Sequence, residues 1–233
     1  MSFDRLAPHY RWMEAVLAGR KLQRCRLAWL DEVRDCRRVL IAGVGPGRFL
    51  ECAVREMRGS EFVCVDASGA MLERAREAAR RTGESARVNF VHAALPEWEP
   101  ERSDFDLIVT HFFLDCFPEP TLSQVVARLA AAAKPDAHWL LADFQIPARG
   151  AARLRARVVL ALAYAFFRIT TRLPAKRLLA PDDALTRNGF RLQHRRITDW
   201  GLLHSDVWRR TAVQDSANAS WSSVSAERPL GNR

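Results

Sequence analysis

The sequence predicts an α/β fold: a doubly wound, mostly parallel sheet of seven strands, preceded by N-terminal helices and carrying one inserted lid helix. Three observations predict it. Residues 39–51, VLIAGVGPGRFLE, run from a short apolar strand through a glycine-rich turn into a helix. Apolar runs at 61–65, 88–92, 104–110 and 134–144 then alternate with helix-patterned segments at the spacing of βαβ units. Finally, residues 190–197 and 202–210 read as an antiparallel pair across Thr198-Asp199-Trp200-Gly201.

Composition sets the outer bounds. The 233 residues, 48% apolar and 27% charged, suit one globular domain over 1–214 and a Ser-, Ala- and Asn-rich tail over 215–233 that reads as disordered. Charges at Asp4, Arg5 and Arg11 argue against a secretory leader, so a cytoplasmic location is expected. The 5 cysteines are scattered and free of C-x-x-C spacing, which excludes a disulfide framework and a thiolate metal site. Residues 1–150 carry 21 basic and 21 acidic residues, whereas 151–210 carry 13 basic and 4 acidic, so the whole net charge of +9 lies there. Such asymmetry points to an anionic partner on that side, or to an arginine-rich composition with no partner.

Taking the elements in order, residues 2–33 read as two helices about Gly19-Arg20. Leu6, Tyr10, Met13, Val16 and Leu17 recur at helical spacing, then Leu22, Cys25, Leu27, Trp29 and Leu30. At the first strand the glycines Gly43, Gly45 and Gly47 let the backbone bend sharply and approach a ligand without a Cβ between them. The following helix offers unpaired N–H groups and a positive dipole end. The second strand closes on Asp66, placed to accept from ribose hydroxyls, so a nucleoside cofactor is expected. The spacing is G-x-G-x-G, with Arg48 where the dinucleotide fingerprint has its third glycine, and no Lys-Ser/Thr pair follows as in a P-loop.

Ser68 is a candidate N-cap for a helix that Gly83 stops. The fourth strand feeds His111-Phe112-Phe113-Leu114-Asp115-Cys116-Phe117, a turn at the carboxyl end of a central strand, where open α/β sheets place ligands. His111 there is a candidate general base or a neighbour of the reacting centre, and Asp115 a candidate to orient it or to touch substrate. Either could equally be a structural hydrogen-bonding residue. A helix over 120–133 and a strand over 134–144 follow, with Asp143 at the strand end facing the same cleft.

Residues 151–177 hold ten uncharged, mostly apolar positions (158–167) flanked by arginines. Ten helical residues span about 15 Å, too short to cross a bilayer. The segment suits a lid helix within 151–180 that walls an apolar pocket, or one lying on an anionic membrane surface with its arginines on phosphates.

The G-x-G-x-G turn with Asp66 resembles the class I S-adenosylmethionine-dependent methyltransferases. The opening F-D-R-L-A-P-H-Y is similar to the N-terminal helix of ubiquinone/menaquinone-type small-molecule methyltransferases. The resemblance covers residues 3–210 and implies S-adenosylmethionine as cofactor. It implies cap helices over 1–35 with Tyr10 reaching inward, Ala67 and Met71 along the adenine, and His111 and Phe112 near the transferred methyl. Tyr10 and Met71 have packing roles as alternatives.

Two departures stand out: Ala94 occupies a position where the family usually has an acid for the adenine amino group, and Ile41 one where it has an acid before the first glycine. The expected function is methyl transfer to a small, apolar or amphiphilic acceptor, with no metal. The competing readings are an inactive cofactor-binding or membrane-surface protein on the same fold, an NAD-dependent oxidoreductase and an RNA methyltransferase. The absence of an N-P-P-Y-type turn after strand four counts against a nucleic-acid amine as target.

Overall fold

The computed structural model describes residues 19–171 and 179–211, with side chains described over 20–161 and 179–211. The expected first helix with Tyr10 and the tail at 215–233 lie outside the described residues. Helix α1 spans Gly19–Arg26, and a 3-10 turn (Leu30–Val33) leads to strand β1 (Arg38–Ala42). Helix α2 (Arg48–Glu56), β2 (Glu61–Asp66), α3 (Gly69–Arg80), β3 (Val88–His92) and β4 (Phe105–His111) follow. Then come α4 (Glu119–Ala131), β5 (Ala133–Phe144), α5 (Gly150–Thr171), α6 (Asp182–Arg187), β6 (Phe190–Thr198) and β7 (Leu203–Arg210).

The strands form one 7-stranded sheet in the order β3-β2-β1-β4-β5-β7-β6. Strands β1 to β5 pair in parallel, and β7 runs antiparallel to both β5 and β6. The reversal of β7 has a functional consequence. Its first residues lie at the carboxyl edge of the sheet, beside the ends of β4 and β5, as the register Asp143↔His204 shows.

Period-2 alternation decides what each side of the sheet meets. Val39 and Ile41 of β1 with Leu107 and Val109 of β4 pack under Phe49, Leu50 and Val54 of α2 and Leu72 and Ala75 of α3. Leu40 and Ala42 with Ile108, Trp139 and Leu141 pack on the opposite face under Leu122, Val125 and Leu129 of α4 and Leu185 of α6. A sheet covered on both faces needs near-continuous apolar strands, and RVLIA in β1 and FDLIVTH in β4 supply them.

Local chemistry sets the helix ends. Ser68 Oγ accepts from the Met71 N–H at 3.2 Å and starts α3, a cap of about 1 kcal/mol. The second predicted helix is shorter than its periodicity suggests, because Trp29 Nε1 donates to the Ser205 carbonyl at 2.9 Å and Cys25 Sγ to the His204 carbonyl at 3.2 Å. These bonds pull the chain onto β7 and end α1 at Arg26. The inserted helix runs from Gly150 to Thr171, and residues 172–178 lie outside the described residues.

Strand β7 also buries charge. Asp206 is fully buried and accepts from Arg195 Nε at 2.9 Å and Nη2 at 2.7 Å, while His204 Nδ1 lies 3.0 Å from its Oδ2. Arg195 Nη2 continues to Asp182 of α6 at 2.8 Å. The buried Asp206 is thereby paired with a cation, which is the condition for carrying its charge inside a fold.

Candidate active site

The glycine turn is held to the second strand by the Gly43 N–H, which donates to the Val65 carbonyl at 2.8 Å. All three glycines adopt left-handed backbone, but for different reasons. At Gly47 (φ +78) a Cβ would stand 2.9 Å from Ala75 Cα, so the turn packs directly on α3. At Gly43 (φ +70) a Cβ would meet the Phe113 ring at 2.2 Å. At Gly45 (φ +55) a Cβ would meet nothing within 4 Å. Gly45 therefore faces open space at the carboxyl edge of the sheet, where a ligand can lie against the backbone.

Asp66 borders that space. Its Oδ2 accepts from the Gly45 N–H and its Oδ1 from the Ser68 N–H, both at 2.9 Å, which fixes the carboxylate between turn and helix. Helix α2 begins after Gly47 with no side-chain cap, so its first-turn N–H groups and dipole are available to an anionic group. A fixed acid, an open glycine and an uncapped helix start together fit an adenosine cofactor bearing a carboxylate tail.

The other residues expected around the cofactor divide. Ala67 lies next to Asp66 and its carbonyl is 3.2 Å from His92 Nε2. Ala94 is exposed after β3, where Ala93 N–H donates to the Asp66 carbonyl at 3.1 Å, so this backbone borders the same cleft. Met71 is 4% exposed, which makes it a core residue of α3. Ile41 is packed in the cluster under α2, so an apolar side chain fills the position where an acid is common.

His111 ends β4 on the α2 side of the sheet, its ring edge-on to Phe49 at 4.7 Å between centroids. Its Nδ1 is buried without a hydrogen-bond partner. Burial, reinforced by the nearby Arg26 guanidinium, pushes its pKa down to about 3, so the imidazole is neutral at ordinary pH. Arg26 itself is buried at 6% exposure and lies 5.0 Å over the Phe112 ring. Phe112 has φ 54, an uncommon value for a non-glycine residue, and its N–H donates to the Ala142 carbonyl at 2.7 Å. Its ring is 5.0 Å from that of Phe144.

Asp115 does not orient His111, contrary to expectation. His111 shares the sheet face of Leu107 and Val109, while Asp143 shares that of Trp139 and Leu141, and the turn Leu114–Cys116 carries Asp115 toward Asp143. The two carboxyls feel each other. Burial raises Asp115 to about 6. Burial and then the Asp115 charge raise Asp143 well above the usual carboxylate range. Asp143 is 2% exposed; its Oδ1 accepts from the Phe144 N–H at 2.8 Å and its Oδ2 has no partner. The Cys116 thiol donates weakly to Asp115 Oδ1 at 3.6 Å. The buried Asp143 and the half-buried Asp115, both raised toward neutral pH, form a unit able to take or return a proton.

Arg26, Phe49 and Phe113 enter this site without a sequence signal of their own. Arg26 comes from a helix whose pattern is basic throughout, and only the packing of α1 on β7 shows which arginine turns inward.

Residues 39–136 match the family model of a methyltransferase domain. A demethylmenaquinone methyltransferase of Bacteroides fragilis is 23% identical over 150 residues, covering 63% of this chain and 60% of that protein. Among solved structures, the mitomycin 7-O-methyltransferase MmcR aligns with a TM-score of 0.67 at 19% identity, over 91% of this chain and 61% of that one. The 1,6-didemethyltoxoflavin-N1-methyltransferase of Burkholderia thailandensis, solved with S-adenosylhomocysteine, aligns with a TM-score of 0.62 at 19% identity, over 89% and 88% of the two chains. The chain thus spans about 60% of the length of the curated relative and of the first of these structures. The seven-stranded sheet is thus the fold of these methyltransferase structures, and its first half, residues 39–136, is similar to a methyltransferase domain.

Proposed function

We propose that the chain transfers the methyl group of S-adenosylmethionine to a small, apolar or amphiphilic acceptor bearing an ionisable hydroxyl. The observation that carries the cofactor is the Gly45–Asp66 pair, an open backbone position beside a carboxylate fixed by two amides. In this reading Asp66 accepts from the ribose hydroxyls, Ala67 and the backbone at Ala93 and Ala94 border the adenine, and the start of α2 receives the carboxylate. Similar proteins solved with S-adenosylhomocysteine or with apigenin support a nucleoside cofactor and a small acceptor.

When bound, S-adenosylmethionine supplies an electrophilic sulfonium methyl. The chain's own work is alignment, exclusion of water and proton removal. Phe49, Phe112, Phe113 and Phe144 wall the region between the glycine turn and the ends of β4 and β5. His111, held neutral, serves as a hydrogen-bonding side chain next to Phe49, since a group with so low a pKa is a weak base. Proton removal falls to the Asp115–Asp143 unit, with Asp115 titrating near 6.

Calorimetry tests this reading: S-adenosylmethionine and, separately, NAD are titrated into the protein and into Asp66→Ala. Micromolar binding of the first alone, lost in the variant, is expected. Binding of NAD instead, or of neither, overturns the reading. A screen of hydroxylated aromatic acceptors with methyl-labelled cofactor then identifies the substrate class.

A further inference from the structure

Over the described side chains of α5, which end at residue 161, the outward face is not the polar surface that a lid helix normally turns to water. Arg153, Leu154, Arg157 and Val158 point outward, with Leu154 68% and Val158 52% exposed. The inward face is already satisfied. Ala156, Val159 and Leu160 pack with Leu22, Cys25, Leu202 and Leu203 and against Phe112 and Phe144. Among the described residues nothing covers the outer aliphatic side chains, and each is preceded by an arginine.

Neighbouring elements extend this surface. Asp199, whose side chain is 1% exposed, bonds Lys21 of α1 and, at 3.1 Å, Arg155 of α5, and so pins both helices to the turn at 199–201. Trp200 projects from that turn, 75% exposed, with Arg155 6.0 Å from its ring. The loop before α5 lies along the same turn, where Gln145 N–H donates to the Leu202 carbonyl at 2.8 Å and Pro147 abuts Gly201. Between them Ile146 is 42% exposed. Arg20, Lys21, Arg24 and Arg196 line a groove with Trp200 and border the apolar patch.

We propose that this face docks on an anionic phospholipid bilayer. Ile146, Leu154, Val158 and Trp200 enter the interfacial layer, while Arg153, Arg157 and the basic groove meet lipid phosphates. Tryptophan is favoured at membrane interfaces, and a basic side chain near an anionic surface contributes about 1 kcal/mol. A soluble polyanion would satisfy the arginines but leave the aliphatic residues and Trp200 in water, which is why the bilayer is the occupant. No described helix is long and apolar enough to cross a membrane, so the contact is peripheral. Because the inner face of α5 packs on Phe112 and Phe144, an acceptor dissolved in the bilayer would reach the site along this helix. That consequence rests on the proposed methyl transfer; the docking does not.

The test is flotation of the full chain with vesicles of phosphatidylcholine mixed with phosphatidylglycerol, and of phosphatidylcholine alone. Binding to the mixed vesicles only, weakened by salt, is expected. The pairs Leu154→Glu/Val158→Glu and Arg153→Glu/Arg157→Glu should each lower it by about tenfold or more, with thermal stability unchanged because all four side chains are exposed. Trp200→Phe should remove a vesicle-induced blue shift of fluorescence. Flotation that neither pair reduces overturns the proposal. So does binding that RNA competes away, or a Leu154→Glu/Val158→Glu protein that melts early, which would mean that the chain itself covers the face. Calorimetry of S-adenosylmethionine on the same preparations separates the two readings: docking without cofactor binding removes only the methyl-transfer proposal, and cofactor binding without docking only this one.

Discussion

The Gly45 N–H donates to Asp66 Oδ2 at 2.9 Å, tying the glycine turn to the tip of β2. The carboxylate holds the turn and, in the proposed function, also receives the cofactor. Asp66→Ala should lower S-adenosylmethionine affinity by about a hundredfold, the scale of a lost charge-assisted hydrogen bond. It should also cost about 1–3 kcal/mol of stability, because the amides of Gly45 and Ser68 lose their acceptor. Asp66→Asn, which keeps an acceptor oxygen, should recover most of the stability but not the affinity. Calorimetry and urea denaturation of both variants check this.

The glycines should separate binding from stability. In Gly47→Ala the new Cβ meets Ala75 backbone at 2.9 Å in a left-handed conformation, so a loss of about 2 kcal/mol or more is expected. In Gly45→Ala the Cβ meets nothing, so only the cost of left-handed backbone remains, about 1–2 kcal/mol. Cofactor affinity, however, should fall further in Gly45→Ala, since its Cβ occupies the ligand's space. Equal affinities in the two variants would show that the ligand does not approach the turn there.

His111 makes stability depend on acid. Its folded pKa lies near 3 against 6.5 for the free side chain, so between those values the unfolded chain binds the proton and the folded chain does not. The contribution is complete above pH 6.5 and is lost as the pH falls toward 3, with a slope of about 1.4 kcal/mol per pH unit. The raised pKa of Asp115 acts in the opposite sense, since below about 6 the folded chain holds that proton more tightly than the unfolded one. Comparing urea midpoints of the protein and of His111→Gln at several pH values isolates the histidine, and the variant should lose the steeper acid slope.

How much of this was legible in the sequence differs by element. The β1–turn–α2 unit and the Ser68 cap could be read directly, because strand, glycines and cap lie within a few residues of one another. The structure places β3 at Val88–His92, the predicted bounds, since a short apolar run between polar turns leaves little choice. The length of α1 was not legible, because Trp29 and Cys25 bond to a strand more than 170 positions away. Of the two roles expected for Asp115, orienting His111 or touching substrate, the sequence could not say that its neighbour would be Asp143. His111 ends β4, whereas Asp115 lies in the 3-10 turn Leu114–Cys116 that follows, and its approach to Asp143 depends on where β5 ends. The approach of Asp143 to His204 likewise depends on β7 running antiparallel, which no local pattern encodes.

The buried network on β7 predicts an asymmetry between its members. Asp206 is fully buried and serves both Arg195 and His204, and burial works against the low pKa that these two partners give it. Asp206→Ala should cost about 3–5 kcal/mol, because the Arg195 guanidinium is left without its main acceptor inside the fold. Asp182→Ala, whose side chain is 32% exposed, should cost about 1 kcal/mol or less. Thermal and urea unfolding of the two variants distinguish them.

The acid pair makes the sharpest claim about chemistry. If Asp115 takes the proton of a hydroxyl acceptor, it must be ionised, so kcat should rise with pH through an apparent pKa near 6 and level off above it. Asp115→Asn should abolish that limb and lower kcat by a factor of about 100 to 10,000, with cofactor affinity unchanged. Asp143→Asn tests the coupling separately. Burial is what raises Asp115, and Asp143, raised further, is neutral where Asp115 titrates, so the limb should stay near 6 while much of the rate survives. A pH profile that is flat in the unmodified protein, or a limb that persists in Asp115→Asn, would assign the proton elsewhere. Loss of activity in both variants together with early unfolding of both would make the pair a packing feature at the ends of β4 and β5.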